Sequence, residues 1–479
     1  MRICFISEGC YPYVAGGVSS WIHSMIRAFP QVEFVIFTVI SDRSGRGKFV
    51  YDLPENVTEV HEAYLNDKDW TPRKKNYKIP KTARNALRSL MLGRDVDWDG
   101  VFDYFAKEKP SINSLLMGTD FFSIIRDYYD REFPEITFTD FLWTMRSVYL
   151  PLFHVLSSDM PKADIYHCVA TGYSGVLGCM AHHLYGGELI LSEHGIYSRE
   201  REEELIKAEW LQGFYKNIWI SHFKKMSQAI YDRARIVTCL FEQAGELQAA
   251  LGCPRSKQVV TPNGIDAKRF VNIPQKEADD GFVEIGAFVR VTPIKDIKTL
   301  IQAFSQAKRA DPRLRLWIMG PDNEDEQYAA ECRSYVEYLE LKDVIFTGRI
   351  QTTEYIGRMD FTILTSISEG QPLVILESYA AHRPAIATDV GNCRGLIYGE
   401  GVDQLGAAGI VTHIMNTNEL AAAMLALAKH PLKCAEMGEI GYRRLNERYT
   451  LAHMQHTYER LYRSLAERQG KTWPESALS

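Results

Sequence analysis

Glu369 and Glu377 stand in the stretch DFTILTSISEGQPLVILESYAAHRPAIATDVGNCR, residues 360–394, and their surroundings decide what chemistry they could do. The apolar run 361–364 reads as a strand, 365–371 as a polar turn with glycine, and Pro372 as the first residue of a helix, where proline's fixed φ and missing N–H do no harm. A second apolar run, 384–388, ends at Asp389 and Gly391. Strand, helix, strand with short links is a βαβ unit, which binds ligands where strands end and helices begin. The helix start offers unpaired N–H groups and partial positive charge to a phosphate. Two carboxylates beside it would repel that phosphate and should face hydroxyl groups instead, each hydrogen bond contributing about 1.5–3 kcal/mol when desolvated. A diphosphate with a hydroxylated ring at each end, a sugar nucleotide, meets both demands. An ordinary solvated pair of glutamates is the plain alternative.

Arg290 and Lys295 stand where the apolar run 282–289 gives way to a helical stretch, IGAFVRVTPIKDIKTLIQAF. Two cations at such a corner suit a diphosphate, arginine as a planar fork and lysine as a point charge; surface charge would account for either alone. In the first half of the chain the run 188–192 passes straight into EHGIYSRER, 193–201. That puts His194, Tyr197, Arg199 and Arg201 just past a strand end, where α/β sheets build sites; a histidine satisfied by backbone is the alternative for His194. Gly16 and Gly17 close the loop EGCYPYVAGG ahead of a helix and would let a ligand approach the backbone.

The elements that must hold these residues alternate. Strand 2–7, helix 18–29 and strand 33–39 make a Rossmann-type opening without G-x-G-x-x-G, so no nicotinamide dinucleotide site is expected. From 41 to 160 the alternation lapses into helical stretches such as 82–92 and 140–156. Most of the aromatic rings there (Trp70, Trp98, Tyr104, Phe121, Phe122, Trp143, Tyr149) are assigned to packing. DVDWDG at 95–100 starts like a calcium loop, but position twelve is Ala106 rather than glutamate, and it is read as a solvated turn. Strands resume at 163–169, 188–192 and 235–239, with a helical segment over 210–233. Its mix of lysines with rings, Trp210 included, could lie on a membrane surface, but the apolar residues keep to no one face and it is read as core packing, with a partner surface second. VVTPNGID, 259–266, closes the first domain, and 268–280 suits a linker. Further strands at 313–319 and 344–346, the latter followed by Thr347, Gly348, Arg349 and Ile350, precede a helical end whose last helix spans about 451–467.

With 479 residues, two domains are expected, 1–270 and 281–448 with 449–479 crossing back, the first carrying the helical insertion. A net charge of −6 excludes a basic nucleic-acid-binding surface as the default. Nine scattered cysteines without a CxxC pair fit reduced, mostly buried thiols and a cytoplasmic protein. The start of the chain lacks a secretory pattern, and no apolar run approaches a membrane span.

EGQPLVILE followed by ATDVGNCRGLI resembles the E-x7-E signature of retaining GT-B glycosyltransferases of family 4. The Gly16-Gly17 turn, HGIYSRER, PNGID and the Arg290/Lys295 pair extend that resemblance over essentially the whole chain. It implies an α/β GT-B fold, two Rossmann-like domains facing across a cleft. It implies that Glu377 holds the ribose hydroxyls and Glu369 contacts the donor sugar. The main chain of Gly370, Gln371, Leu373 and Val374 at the Pro372 turn would lie near the diphosphate, which Arg290 and Lys295 would neutralise. His194 would orient the sugar, Arg349 and Ile350 would flank the base, and Gly16 and Gly17 would face the diphosphate. Tyr197, Arg199 and Arg201 are acceptor-side candidates. The insertion and the wording SEHGIYSRERE and VRVTPIKDIKTLI resemble more closely the glycosyltransferases that make the Pel exopolysaccharide of bacterial biofilms. That implies a UDP-sugar donor (a hexosamine or glucose), a growing polysaccharide acceptor, no metal or other cofactor, and a partner complex at the inner membrane. Three other readings stay open: a UDP-sugar 2-epimerase, a phosphorylase, and a nucleotide-sensing subunit without catalysis.

Overall fold

The structure is a computed structural model describing residues 1–66, 77–93, 95–209, 211, 213–276 and 281–475; Trp70 and Trp210 lie outside the described residues. Runs such as ICFIS and FVIFTV are apolar on both faces, the pattern of strands covered by helices on either side. Among the described residues the first half yields β1 (Arg2–Glu8), β2 (Glu33–Ile40), β3 (Val57–Tyr64), β4 (Ile165–Cys168), β5 (Glu188–Ser192), β6 (Ile236–Cys239) and β7 (Gln258–Val260). They form one parallel sheet in the order β3-β2-β1-β4-β5-β6-β7, with Phe5 opposite Ile36 on one side and His167 on the other. The second half yields β8 (Val283–Phe288), β9 (Leu314–Met319), β10 (Val344–Gly348), β11 (Phe361–Leu364), β12 (Ala385–Thr388) and β13 (Gly409–Thr412), parallel in the order β10-β9-β8-β11-β12-β13. Each sheet reverses its order once, between β1 and β4 and between β8 and β11. Such switch points open a crevice beyond the strands' C-terminal ends.

The chain divides into two compact units, residues 1–260 with 458–479 and residues 261–457. The first break falls ahead of the expected boundary at 270. Ile265 donates its N–H to Tyr449 O and accepts from Leu451 N, which ties the PNGID turn to the second unit rather than the first. The expected insertion also needs correcting, because it begins with a strand. β3 pairs with β2 at the sheet edge, where polar Thr58, Glu59, His61 and Glu62 break up its apolar pattern. Helices Lys81–Leu92, Trp98–Glu108, Ile112–Leu116, Thr119–Glu132 and Phe138–Leu156 then pack their buried rings (Trp98, Tyr104, Phe121 and Tyr149) into one core with Cys4 and Ile6 of β1. Phe122 and Trp143 stay exposed. Asp97 of DVDWDG caps helix Trp98–Glu108, accepting from Gly100 N at 3.0 Å. Helix Gly213–Arg233 buries Phe223, Met226 and Ile230 in the same core. No helix among the described residues is long and apolar enough to cross a membrane.

The second unit contains a fully buried ion pair. Arg444 donates to Asp403 from Nε and Nη2 at 2.6 and 3.1 Å, and to the carbonyls of Leu396, Ile397 and Gly406. With every donor used the pair is tolerated, but removing one partner strands the other charge. Arg444→Met is expected to destabilise this unit by about 3–5 kcal/mol, read as an early transition in thermal unfolding.

Candidate functional site

In the second unit the switch point is built from the turns after β8 and β11. Thr365 Oγ1 donates to Lys295 O at 2.9 Å and Ile367 N to Ile294 O at 2.9 Å, stitching the 293–295 turn to the loop after β11. That brings Lys295 Nζ to 2.5 Å from Glu369 Oε1, with the two side chains only 15% and 12% exposed. The turn after β12 closes the loop from the other side: Asn392 N donates to Gly370 O at 2.8 Å. Gly391 sits there at φ +52°, and a Cβ on it would lie 2.2 Å from Glu369 O and 2.3 Å from Gly370 O. Gly391→Ala must therefore push the Glu369–Gly370 backbone away. The expected result is a destabilisation of this unit by about 1–3 kcal/mol from the strained φ with the clash in addition, read as a lower melting temperature, together with weakened UDP binding measured calorimetrically.

Pro372 is the N-cap of helix Leu373–Ala380, with ψ 111°, rather than its first residue as expected. An extended ψ turns the chain into the helix one residue later, and the cap carbonyl accepts from Ile375 N at 3.2 Å. The N–H groups of Leu373 and Val374 have no preceding turn to bond to, so they remain available to an anion. Gln371 spends its side chain elsewhere. Its Oε1 accepts from Asn263 N at 2.8 Å and its Nε2 donates to Asn263 O at 3.0 Å, holding the PNGID turn. Glu377, further along the same helix, is half-buried, and its carboxylate has no hydrogen-bond partner among the described residues. Burial pushes its carboxyl up to about 7, against the pull of Arg269. An enclosed carboxylate with all its lone pairs free is what hydroxyl groups of a ligand would complete.

Arg290 and Lys295 do not share one anion here. Arg290 is exposed and pairs with Glu324 at 2.6 Å, while Lys295 is enclosed with Glu369. Residue 290 lies between Val289 and Val291, which bond to the end of β9 and the loop after it (Val289 N to Met319 O and Val291 N to Pro321 O, both 2.9 Å), and residue 295 belongs to the turn bonded to the β11 loop. Arg349 is exposed and Ile350 half-buried just past β10. A groove of about 660 Å³ in this unit lies between helices Ile297–Ala310 and Glu326–Tyr338, on Lys298 and Glu331, away from the Glu369 and Glu377 side chains.

In the first unit the switch point carries two carboxylates that sequence reasoning missed. Glu8, the last residue of β1, accepts from Tyr173 N at 3.0 Å and from Tyr197 OH at 2.9 Å; burial raises its carboxyl above the ordinary range. Glu193, just past β5, accepts from Tyr231 OH at 2.8 Å, Gln248 Nε2 at 3.0 Å and Tyr197 N at 3.2 Å, and burial pushes it up to about 7. An acidic residue closing an apolar strand was the available signal; its partners lie too far along the chain to be read. Next to Glu193 is His194, its ring packed against Trp21 at 4.7 Å between centroids and its Nε2 buried without a partner. Burial depresses it to about 4, which keeps it neutral. Tyr197 is buried and its hydroxyl is engaged by Glu8. Arg201 stacks over the Tyr197 ring at 5.4 Å and pairs with Glu204, and Arg199 is exposed. Gly16 and Gly17 open helix Gly17–Ala28 with nothing within 4 Å of where a Cβ would stand. Among the described residues no group of three or more His, Cys, Asp or Glu is placed to hold a metal ion.

Comparison with known proteins follows this division. A family described as "Domain of unknown function (DUF3492)" matches residues 1–256, and one described as "Glycosyl transferases group 1" matches residues 281–430. The putative colanic acid biosynthesis glycosyltransferase WcaL of Escherichia coli (strain K12) is 27% identical over 180 residues, 35% of this chain and 43% of that protein. The D-inositol 3-phosphate glycosyltransferase of Pseudarthrobacter chlorophenolicus is 24% identical over 277 residues, 55% of this chain and 62% of that one. The chain thus spans less than two thirds of the length of these relatives. The crystal structure of Anabaena HepE in complex with UDP superposes with a TM-score of 0.62 at 14% identity, covering 97% of this chain and all of that one. At that identity the likeness establishes the fold: α/β, of the GT-B type.

Proposed function

The chain belongs to the DUF3492 family and carries a group 1 glycosyl transferase segment over residues 281–430, and from that premise we propose that it transfers a sugar from a nucleoside diphosphate sugar to a hydroxyl acceptor. The observation that carries the proposal is the Lys295–Glu369 pair at the loop leading to the Pro372 helix tip, with unpartnered Glu377 on the same helix. The donor's phosphates would meet the free amides of Leu373 and Val374 and the charge of Lys295. Glu369 would then be released to accept from sugar hydroxyls. Glu377 would accept from the two ribose hydroxyls, and Arg349 and Ile350 would flank the base. In the first unit, His194 is the group proposed to face substrate.

Transfer with retention follows if the leaving diphosphate is itself the base. The bond from C1 to the diphosphate oxygen breaks, the acceptor oxygen bonds C1 on the same face, and its proton passes to the departing phosphate oxygen. The protein's share is charge stabilisation and positioning, which Lys295, the helix tip and (more loosely) exposed Arg290 can supply without a divalent metal. The donor is proposed to be a UDP-hexosamine or UDP-glucose; HepE was solved with UDP and with UDP-glucose. The acceptor is proposed to be a growing exopolysaccharide. WcaL's description as a colanic acid enzyme and the Pel-like wording of the first half favour a PelF-type role beside a membrane synthase complex.

A thermal-shift screen of nucleotides and nucleotide sugars, with and without EDTA, tests this reading, because a ligand that binds only the folded protein raises its stability by mass action. UDP and one UDP-sugar should shift the transition equally with and without EDTA. No shift from any nucleoside diphosphate would overturn the proposal, and a shift abolished by EDTA would remove its metal-free form.

A further inference from the structure

His194 is the first unit's substrate-facing candidate, yet no side chain bonds its buried Nε2. What holds the ring is packing. Trp21, on helix Gly17–Ala28, packs against the His194 ring at 4.7 Å between centroids and an interplanar angle of 66°. Trp21 is in turn wedged against Tyr458 at 5.1 Å and His167 at 5.5 Å. Tyr458 belongs to the chain's last helix and is fixed by its hydroxyl, 3.0 Å from Ser192 Oγ and 3.1 Å from Thr238 Oγ1. Ser192 also meets His167 Nε2 at 2.7 Å, and His167 Nδ1 meets Tyr462 OH at 2.7 Å. All of these groups are buried, so the network is satisfied only while the last helix is seated. Ser192 closes β5 two residues before His194, so the same hydroxyl braces both the strand that carries the histidine and the indole that covers it.

We propose that Trp21 and Tyr458 are positioning residues for His194, and that seating of residues 458–475 on the first unit sets the imidazole's place. Trp21 excludes water from one side of the ring; Tyr458 keeps Trp21 from turning away. The titratable groups around the cluster include His167, Tyr458 and Tyr462, with Glu193 next to His194 in the chain; burial keeps the His167 ring neutral and the Tyr462 hydroxyl protonated near neutrality. The proposal rests on the reading of His194 as substrate-facing, and its test separates the two.

In the wild-type chain, imidazole NMR resonances assigned with His194→Gln should show the His194 ring protons displaced from those of an exposed histidine by the Trp21 ring current, with a titration midpoint below that of an exposed histidine. Trp21→Leu should move that midpoint up by about one pH unit or more as water reaches the ring. Tyr458→Phe, which keeps the ring and loses only the hydroxyl, should move it part of the way, and Trp21→Phe should restore most of the wild-type value. With UDP-glucose as donor, Trp21→Leu should lower kcat at least tenfold while UDP affinity stays within twofold. Unshifted His194 protons in the wild type, or the same midpoint in folded Trp21→Leu and Tyr458→Phe as in the wild type together with an unmoved kcat, would overturn the positioning role. A shifted midpoint without any wild-type turnover would keep the positioning and overturn the glycosyl-transfer reading instead.

Discussion

Lys295→Ala is expected to lower turnover of a UDP-sugar donor by about 10²–10³-fold, the usual loss when one preorganised donor to a developing negative charge is removed. The effect should be large because the ammonium is enclosed: its side chain is 15% exposed and its partner Glu369 12%, so water cannot substitute for it. Removal also leaves Glu369 as an uncompensated carboxylate beside the leaving phosphate, which adds repulsion to the lost attraction. Arg290→Ala should cost far less, about tenfold, because its guanidinium is half-exposed and already screened by solvent and by Glu324. Release of UDP from UDP-glucose, followed at saturating donor, checks both; a Lys295→Ala enzyme within threefold of wild type would contradict the assignment.

Glu377→Gln is expected to weaken UDP binding about 100-fold at pH 8 and to abolish its pH dependence. Two ribose hydroxyls bonded to a desolvated carboxylate contribute about 1.5–3 kcal/mol each, and an amide offers only one acceptor atom. In the wild type the carboxyl titrates near 7 because burial disfavours its charge. The hydroxyls favour the ionised form, so UDP affinity should rise about tenfold from pH 6 to pH 8 as the free site loses its proton. The linkage to folding has the opposite sign. Between the ordinary carboxyl value of 4.5 and about 7 the folded chain holds a proton that the unfolded chain has released. Stability from this group therefore falls as pH rises through that window, and Glu377→Gln should flatten the slope. Calorimetric titrations of UDP at the two pH values check the first claim, and denaturant melts across the same range check the second.

The parts of this design that are local in the chain could be read from it. β11, the glycine turn, the helix and β12 follow one another within thirty residues or so, and their periodicity, turn residues and carboxylate spacing all point the same way. What was not legible depends on partners distant in sequence. Lys295 and Glu369 are 74 positions apart, and nothing local says that the lysine reaches the glutamate while Arg290 turns to Glu324. Glu8 and Glu193 look like ordinary strand-end acids until Tyr197, 189 residues from Glu8, closes over the one and Tyr231 and Gln248 over the other. The edge strand Val57–Tyr64 escaped because polar Thr58, Glu59, His61 and Glu62 interrupt its apolar run, Thr58 and Glu59 exposed at the open edge and Glu62 spent on the Tyr13 and Tyr64 hydroxyls. The polar neighbours of Tyr197 point to an acceptor-side group, and nothing local says that its hydroxyl is engaged by the buried Glu8 carboxylate.

Calorimetric titration of UDP into the wild-type chain in EDTA, repeated with Lys295→Ala and Glu377→Gln, tests the central claim most directly. One site per chain is expected, with a dissociation constant on the order of 1 μM to 1 mM, the range of ordinary enzyme–substrate affinities, and each substitution should weaken it without unfolding the protein. No heat at millimolar UDP, or binding indifferent to both substitutions, would contradict a nucleoside diphosphate site at the tip of helix Leu373–Ala380.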